Sequence, residues 1–127
     1  MRRYLLATGL LTGLAGPAVA GETVPFQPQA FAQAQAEQKP VLVEIDASWC
    51  PNCAKQRPIL AKLSTEPEFK NLVIMKVDFD TQKDIVRQMG ANMQSTLIAF
   101  HGRDERGRAV GVTDEAAIRA LVAKTES

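Results

Sequence analysis

Apolar positions recur along this chain with two different periods, which predicts strands and helices in alternation. Residues 41–45 are mostly β-branched and almost continuously apolar, as is typical of a strand covered on both faces, and residues 72–77 repeat the pattern. Between these strands, residues 52–64 carry apolar side chains at helical spacing, and Pro51 has the fixed φ that suits a first helical turn. The first strand therefore leads directly into a helix.

The remaining pattern predicts further elements on both sides of this unit. They are an extended entry over 21–29, a short helix over 30–37, a helix over 82–89, strands over 96–100 and 109–112 joined by a charged turn over 102–107, and a last helix that begins near Thr113. The order strand, helix, strand, helix is a βαβ unit, and the later pair of strands is typical of a hairpin. The predicted fold class is α/β, with a central mixed sheet, a C-terminal β-hairpin and a final helix.

The N-terminal segment differs from the rest of the chain. A pair of arginines precedes an apolar run over 4–14, and Ala18-Val19-Ala20 closes the segment with small residues. This arrangement predicts a secretory signal peptide over 1–20, whose cleavage leaves a domain over 21–127 that is periplasmic or secreted. The alternative is an uncleaved anchor, although the apolar run is short for a membrane span.

Length and charge narrow the range of functions. A chain of 127 residues is about the size of one domain. Its 15 Lys and Arg residues nearly balance its 14 Asp and Glu residues, and loss of the leader with its two arginines leaves 13 against 14. A near-neutral chain has no electrostatic basis for binding nucleic acid, so no nucleic-acid partner is expected.

The candidate chemistry lies in two cysteines that are separated by two residues. Cys50 and Cys53 are too close in sequence to connect distant parts of a fold, so in an exported protein they indicate reactive chemistry or a metal site. A thiolate at a helix N-terminus is stabilised by unpaired N–H groups and by the helix dipole, which favours Cys50 as the attacking thiol. Cys53, one turn further in, is expected to be shielded and to resolve the mixed disulfide. The plainer alternative is that both are small buried apolar residues.

The segment Trp49-Cys50-Pro51-Asn52-Cys53 at the first strand-to-helix junction resembles the thioredoxin family. Pro58 in the helix, Lys76-Val77-Asp78 in the next strand and Ser95-Thr96-Leu97 before the hairpin agree with that resemblance, which runs from residue 41 to the C-terminus and leaves the entry segment outside. It implies a thioredoxin-like fold and a thiol-disulfide oxidoreductase without an organic cofactor. It also implies protein disulfide substrates and a membrane or soluble redox partner that recharges the cysteines.

The resemblance also assigns roles to residues around the cysteines. Glu44 falls where the family has a buried acid, which implies proton transfer to and from Cys53; an ion pair with Lys76 is the structural alternative, and both can hold together. Trp49 either covers the disulfide or packs on the core. The intervening Pro51 and Asn52 are expected to tune the redox potential.

Ser95 is the main departure from the family, which usually has a cis-proline immediately before the strand that begins here at Thr96. A cis bond before serine costs about 3–4 kcal/mol, so a trans bond and a reshaped, more open loop are expected. Asp46, at a position that is usually apolar in the family, is expected to cap the turn, with perturbation of Cys50 as the alternative.

Two other functions compete with disulfide exchange. The cysteine pair suits a soft ion such as Cu(I), so a metal-binding or metal-delivery module is the main alternative. The third hypothesis is a thioredoxin-fold interaction module that no longer turns over.

Overall fold

The chain folds into strands and helices in the order that the hydrophobic pattern predicts, with one additional strand. The computed structural model describes residues 21–127, and the predicted signal peptide over 1–20 lies outside the described residues. The strands are β1 Glu22–Pro25, β2 Pro40–Asp46, β3 Val73–Asp78, β4 Thr96–His101 and β5 Asp104–Val110. The α-helices are α1 Pro28–Ala36, α2 Pro51–Ser64, α3 Lys83–Gln88 and α4 Glu115–Ala123, and short 3-10 helices cover Pro67–Phe69 and Lys124–Glu126.

Within residues 21–127 the strands form one five-stranded sheet in the order β1-β3-β2-β4-β5. Strands β1, β3 and β2 are parallel, whereas β4 and β5 are antiparallel to their neighbours. This confirms the predicted α/β class with a mixed sheet and a C-terminal hairpin. It also places β2, which leads to the cysteines, at the centre of the sheet.

The entry segment contains the strand that the sequence pattern does not reveal. Residues Glu22–Pro25 pair with β3, with Glu22 opposite Val73, and the N–H of Phe26 donates to the carbonyl of Lys76 at 2.8 Å. Most of this edge strand is exposed, so its side chains show no apolar period.

The hairpin turn is shorter than predicted. Residues 102–107 were expected to form a charged turn, but the loop consists of Gly102 and Arg103 alone, and β5 begins at Asp104. Gly102 adopts a φ of +57°, which glycine tolerates at no steric cost. The charged residues belong to an edge strand that faces solvent, and charge alone does not distinguish such a strand from a turn.

Helices cover both faces of the sheet and bury one apolar cluster on each. The cluster beneath α2 and α4 contains Leu42, Leu60, Leu63, Ile74, Leu97 and Ile118 among its members. The cluster beneath α1 and α3 contains Phe26, Ala34, Val43, Val77 and Val86. Within residues 21–127 no helix has both the length and the apolar character of a membrane span.

Candidate functional site

The two cysteines lie at the junction where the central strand β2 passes into α2. Cys50 is the N-cap residue of the helix, with extended backbone angles (φ −83°, ψ 118°), and Pro51 follows in the first turn. The Sγ atom of Cys50 accepts a hydrogen bond from the N–H of Cys53 at 3.1 Å. A sulfur at this position is held by a backbone donor that has no other partner within the helix, an arrangement that stabilises a thiolate.

Both cysteines are buried, and burial strongly affects the acidity of Cys53. Both are present as thiols and both are buried, with Cys50 2% and Cys53 1% exposed. Burial, followed by the hydrogen bond with Cys50, raises the pKa of Cys53 to about 12. Cys53 is therefore shielded, as predicted, and it holds its proton near neutral pH.

Trp49 lies on the surface beside the cysteines and is not packed into the core. Its side chain is 57% exposed, and its indole N–H donates to Oδ2 of Asp80 at 2.9 Å. The edge of the ring system meets Phe79, with centroids 6.4 Å apart, and Phe79 itself packs against the buried cluster of Ala47, Cys50 and Cys53. Pro51 and Asn52 are also exposed, so the segment between the cysteines borders solvent.

Glu44 is buried in β2, and burial raises the pKa of its carboxyl group. The register of the sheet places Glu44 opposite Lys76, whose positive charge lowers that pKa in part. However, the Lys76 ammonium lies 3.8 Å from Oδ2 of Asp46, and the described residues contain no ion pair between Glu44 and Lys76. The ion pair that was the structural alternative for Glu44 is therefore wrong: the half-buried lysine reaches the carboxylate nearer the surface, where charge is less costly to desolvate.

Asp46 is held by two basic side chains and does not cap the turn. Its Oδ1 atom accepts a hydrogen bond from Nε of Arg57 at 3.0 Å, while Nη2 of Arg57 donates to the carbonyl of Ala47. The negative charge of Asp46 is one of the causes that raise the pKa of Cys53. The prediction of a cap is wrong, and the structure adds Arg57 to the residues that surround the cysteine pair.

Ser95 adopts a backbone conformation that differs from that of proline. Within residues 21–127 no peptide bond is cis, as expected, and Ser95 has a φ of +57°. Its N–H donates to the carbonyl of Ile45 at 2.8 Å. Ser95 is only 3% exposed and Thr96, whose hydroxyl donates to the carbonyl of Met93 at 2.7 Å, is 1% exposed. Met93 in the same loop is 46% exposed, and the expectation of a loop more open than in the family stays a prediction.

Comparison with known proteins agrees with this geometry. A family model described as Thioredoxin matches residues 22–124. The chain belongs to the thioredoxin family. Thioredoxin Asp f 29 of Aspergillus fumigatus is 33% identical over 87 residues, which are 66% of this chain and 79% of that protein. The thioredoxin of Chlamydia muridarum is 33% identical over 84 residues, which are 66% of this chain and 80% of that protein. The solved structure of Trxlp from Edwardsiella tarda is 39% identical with a TM-score of 0.77, covering 80% of this chain and 98% of that one.

As a member of the thioredoxin family with a CxxC pair, the chain is a thiol-disulfide oxidoreductase. The family match begins at residue 22, so the entry segment belongs to the thioredoxin domain. The resemblance carried by the sequence motifs began only at residue 41. Strand β1 explains the difference, because this segment completes the edge of the sheet beside β3.

Gln56 is a site residue that the sequence motifs did not indicate. It lies in α2 one turn beyond Cys53 and is 1% exposed. Its side-chain amide donates to the carbonyls of Ser95 at 3.2 Å and Val112 at 2.9 Å. Its position in the sequence indicates its burial, because Gln56 lies on the same helical stripe as the buried Leu60 and Leu63.

Proposed function

We propose that residues 21–127 form an extracytoplasmic thiol-disulfide oxidoreductase that acts on protein disulfides, with Cys50 as the attacking thiol and Cys53 as the resolving thiol. The observation that carries this assignment is the hydrogen bond from the Cys53 N–H to Sγ of Cys50 at 3.1 Å, which stabilises negative charge on Cys50. The pKa of about 12 at Cys53 supports it, because that thiol stays protonated until it is needed.

The reaction proceeds by two exchanges at sulfur. The Cys50 thiolate attacks one sulfur of the substrate disulfide, forms a mixed disulfide, and releases the other substrate sulfur as a thiolate that takes up a proton. Cys53 then loses its proton, attacks Sγ of Cys50 and releases the second substrate sulfur. The substrate gains two electrons and two protons, and the protein is left with a Cys50–Cys53 disulfide. The reverse sequence oxidises a substrate dithiol.

Resolution requires a base, because Cys53 does not ionise readily near neutral pH. We assign this role to Glu44. Alternation along β2 places Glu44 on the same face as Leu42, which packs in the cluster beneath α2. The pKa of Glu44 is raised by burial, which brings proton uptake and release closer to neutral pH.

The location outside the cytoplasm rests on the N-terminal segment. Its two arginines, its apolar run and Ala18-Val19-Ala20 form the pattern of a cleaved leader. Disulfide chemistry persists in such compartments, where thiols are not kept reduced by the cytosolic systems. Turnover there requires a membrane or soluble redox partner that recharges the Cys50–Cys53 couple.

Trapping of the mixed disulfide tests the proposal. The full chain is expressed with its leader as wild type, Cys53→Ser and Cys50→Ser, and adducts are separated without reductant. Cys53→Ser should accumulate mixed disulfides outside the cytoplasm on a chain that begins at Gly21, because attack is retained and resolution is lost. Cys50→Ser should form none. Equal adduct formation by the two variants would contradict the assigned roles, and adducts confined to the cytoplasm would contradict the location.

The metal-delivery alternative stays a prediction. In the described part of the chain, 21–127, the two thiols are not joined by a third His, Cys, Asp or Glu side chain in a group that could hold a metal ion. The backbone hydrogen bond to Sγ of Cys50 and the raised pKa of Cys53 are instead features of thiol exchange, so the oxidoreductase function is the one that the geometry supports best.

A further inference from the structure

A buried amide occupies a position of α2 where packing alone would favour an apolar side chain. The residues that α2 buries include Cys53, Leu60 and Leu63, and Gln56 lies among them with 1% of its surface exposed. A polar group in such a place is unfavourable unless it makes hydrogen bonds that an apolar side chain does not make.

Gln56 uses its NH₂ group for two long-range hydrogen bonds. The two bonds reach the carbonyls of Ser95 and Val112, which are 39 and 56 residues further along the chain. Both partners are acceptors, so the orientation of the amide is fixed by them. The Oε1 atom then remains without a hydrogen-bond partner among the described residues. Gln56 therefore leaves one buried polar atom unpaired among the described residues, while its NH₂ group binds two carbonyls.

These carbonyls belong to two loops that border the cysteine segment. The first, here called the Ser95 loop, covers residues 91–95 before β4; the second, here called the Gly111 loop, covers residues 111–114 after β5. The N–H of Gly111 donates to the carbonyl of Ser95 at 2.9 Å, which joins the loops directly. A Cβ atom placed on Gly111 would lie 3.3 Å from Nδ2 of Asn52, between the two cysteines. The loops and the exposed Asn52 thus form one continuous surface.

We propose that Gln56 is a positioning residue for disulfide exchange: it ties the Ser95 loop and the Gly111 loop to α2 and so fixes the surface on which a protein disulfide docks beside Cys50. This inference rests on the proposed function, because it assumes that a protein substrate occupies that surface. Gln56 acts through the loops and does not touch the reacting sulfurs. It should therefore affect recognition of a protein substrate more than the reactivity of the cysteines.

The test compares Gln56→Met with a control that removes a buried hydrogen bond elsewhere. Methionine has a similar length but donates nothing. In Thr125→Val, the control, the lost bond is the one from the Thr125 hydroxyl to the carbonyl of Val122, 2.7 Å long and outside both loops. Each protein is assayed for KM and kcat with insulin as the protein disulfide, and for its rate with hydroxyethyl disulfide, which has no polypeptide that could dock on the loops.

Gln56→Met should raise the KM for insulin about tenfold and leave kcat and the rate with hydroxyethyl disulfide within about twofold of wild type. Thr125→Val should leave all three values within about twofold. A KM for Gln56→Met within about twofold of wild type would overturn the inference, and so would equal losses with the two substrates, because they would show a general disturbance of the site. Absence of any exchange by the wild type would instead refute the proposed function.

Amide hydrogen exchange gives a measurement that does not depend on activity. In the wild type, the Gly111 amide should be protected to a degree similar to the β4 amides, because its acceptor is held by Gln56. If the Gly111 amide of the wild type exchanged as fast as amides in exposed loops, the inference would be overturned even without a folded Gln56→Met protein. In a folded Gln56→Met protein, exchange at Gly111 should become about tenfold faster, and unchanged exchange would overturn the inference as well.

Discussion

Replacing Ser95 by proline tests the backbone conformation on which the site depends. Ser95 has a φ of +57°, and its N–H donates to the carbonyl of Ile45 at 2.8 Å. Proline holds φ near −65° and has no N–H, so Ser95→Pro removes the hydrogen bond and also requires the loop to take another path. Although proline is the usual family residue here, we expect it to destabilise this chain.

The expected loss of stability has two parts. Leaving the Ile45 carbonyl without its backbone donor costs about 1 kcal/mol. Forcing a backbone angle that the surrounding loop does not accommodate costs about 2 kcal/mol. Together they give about 3 kcal/mol, which for a domain of this size lowers Tm by roughly 12 °C. Ser95→Gly keeps the N–H and suits a positive φ, so it should stay within about 1 kcal/mol of wild type.

Urea unfolding followed by circular dichroism measures these differences. Wild type, Ser95→Ala, Ser95→Gly and Ser95→Pro are compared at equal m-values, with the alanine variant as the control for loss of the hydroxyl group. The order of stability should place proline well below alanine, and glycine equal to or above alanine. If Ser95→Pro unfolds at the same urea concentration as Ser95→Ala, residue 95 does not require a positive φ and the reasoning is refuted.

Two further predictions follow from the raised pKa values in the site. Burial raises the pKa of Glu44, so the folded protein keeps a proton that the unfolded chain releases, and stability falls as pH rises from the ordinary carboxyl pKa through the raised one. In urea unfolding, Glu44→Gln should therefore be more stable than wild type at about pH 8 but not at about pH 4, and an equal difference at both would contradict the assignment. Because the pKa of Cys53 is about 12, iodoacetamide at neutral pH should modify Cys50 and spare Cys53, which peptide mass mapping would show; equal labelling of both would contradict the assigned acidity.

The features that the sequence predicts correctly are those determined by neighbouring residues. The apolar character of β2 and the fixed φ of Pro51 are sufficient to place a strand and a helix on either side of Cys50. The hydrogen bond from Cys53 to Cys50 follows from the same local geometry, because it lies within the first helical turn. The chemistry of the motif is therefore accessible without knowledge of the tertiary structure.

The hydrophobic pattern does not fully reveal either edge strand of the sheet, for a common physical reason. Strands β1 and β5 have mostly exposed side chains, so burial imposes no apolar period on them. Their pairing is set by backbone hydrogen bonds to β3 and β4, which do not require apolar side chains. The alternative ion pair of Glu44 is wrong for a related reason, because strand register gives the position of Lys76 but not which carboxylate its long side chain reaches.

The surface that a protein substrate would meet depends on contacts between distant parts of the chain. Gln56 reaches Ser95 and Val112 across 39 and 56 residues, and these two residues lie before and after the β4–β5 hairpin. The nucleophile, in contrast, depends on four consecutive residues that begin at Cys50. Attack by Cys50 and recognition of the substrate thus rest on different contacts, and substitutions at Gln56 or Ser95 should alter which disulfides are exchanged without altering how Cys50 attacks them.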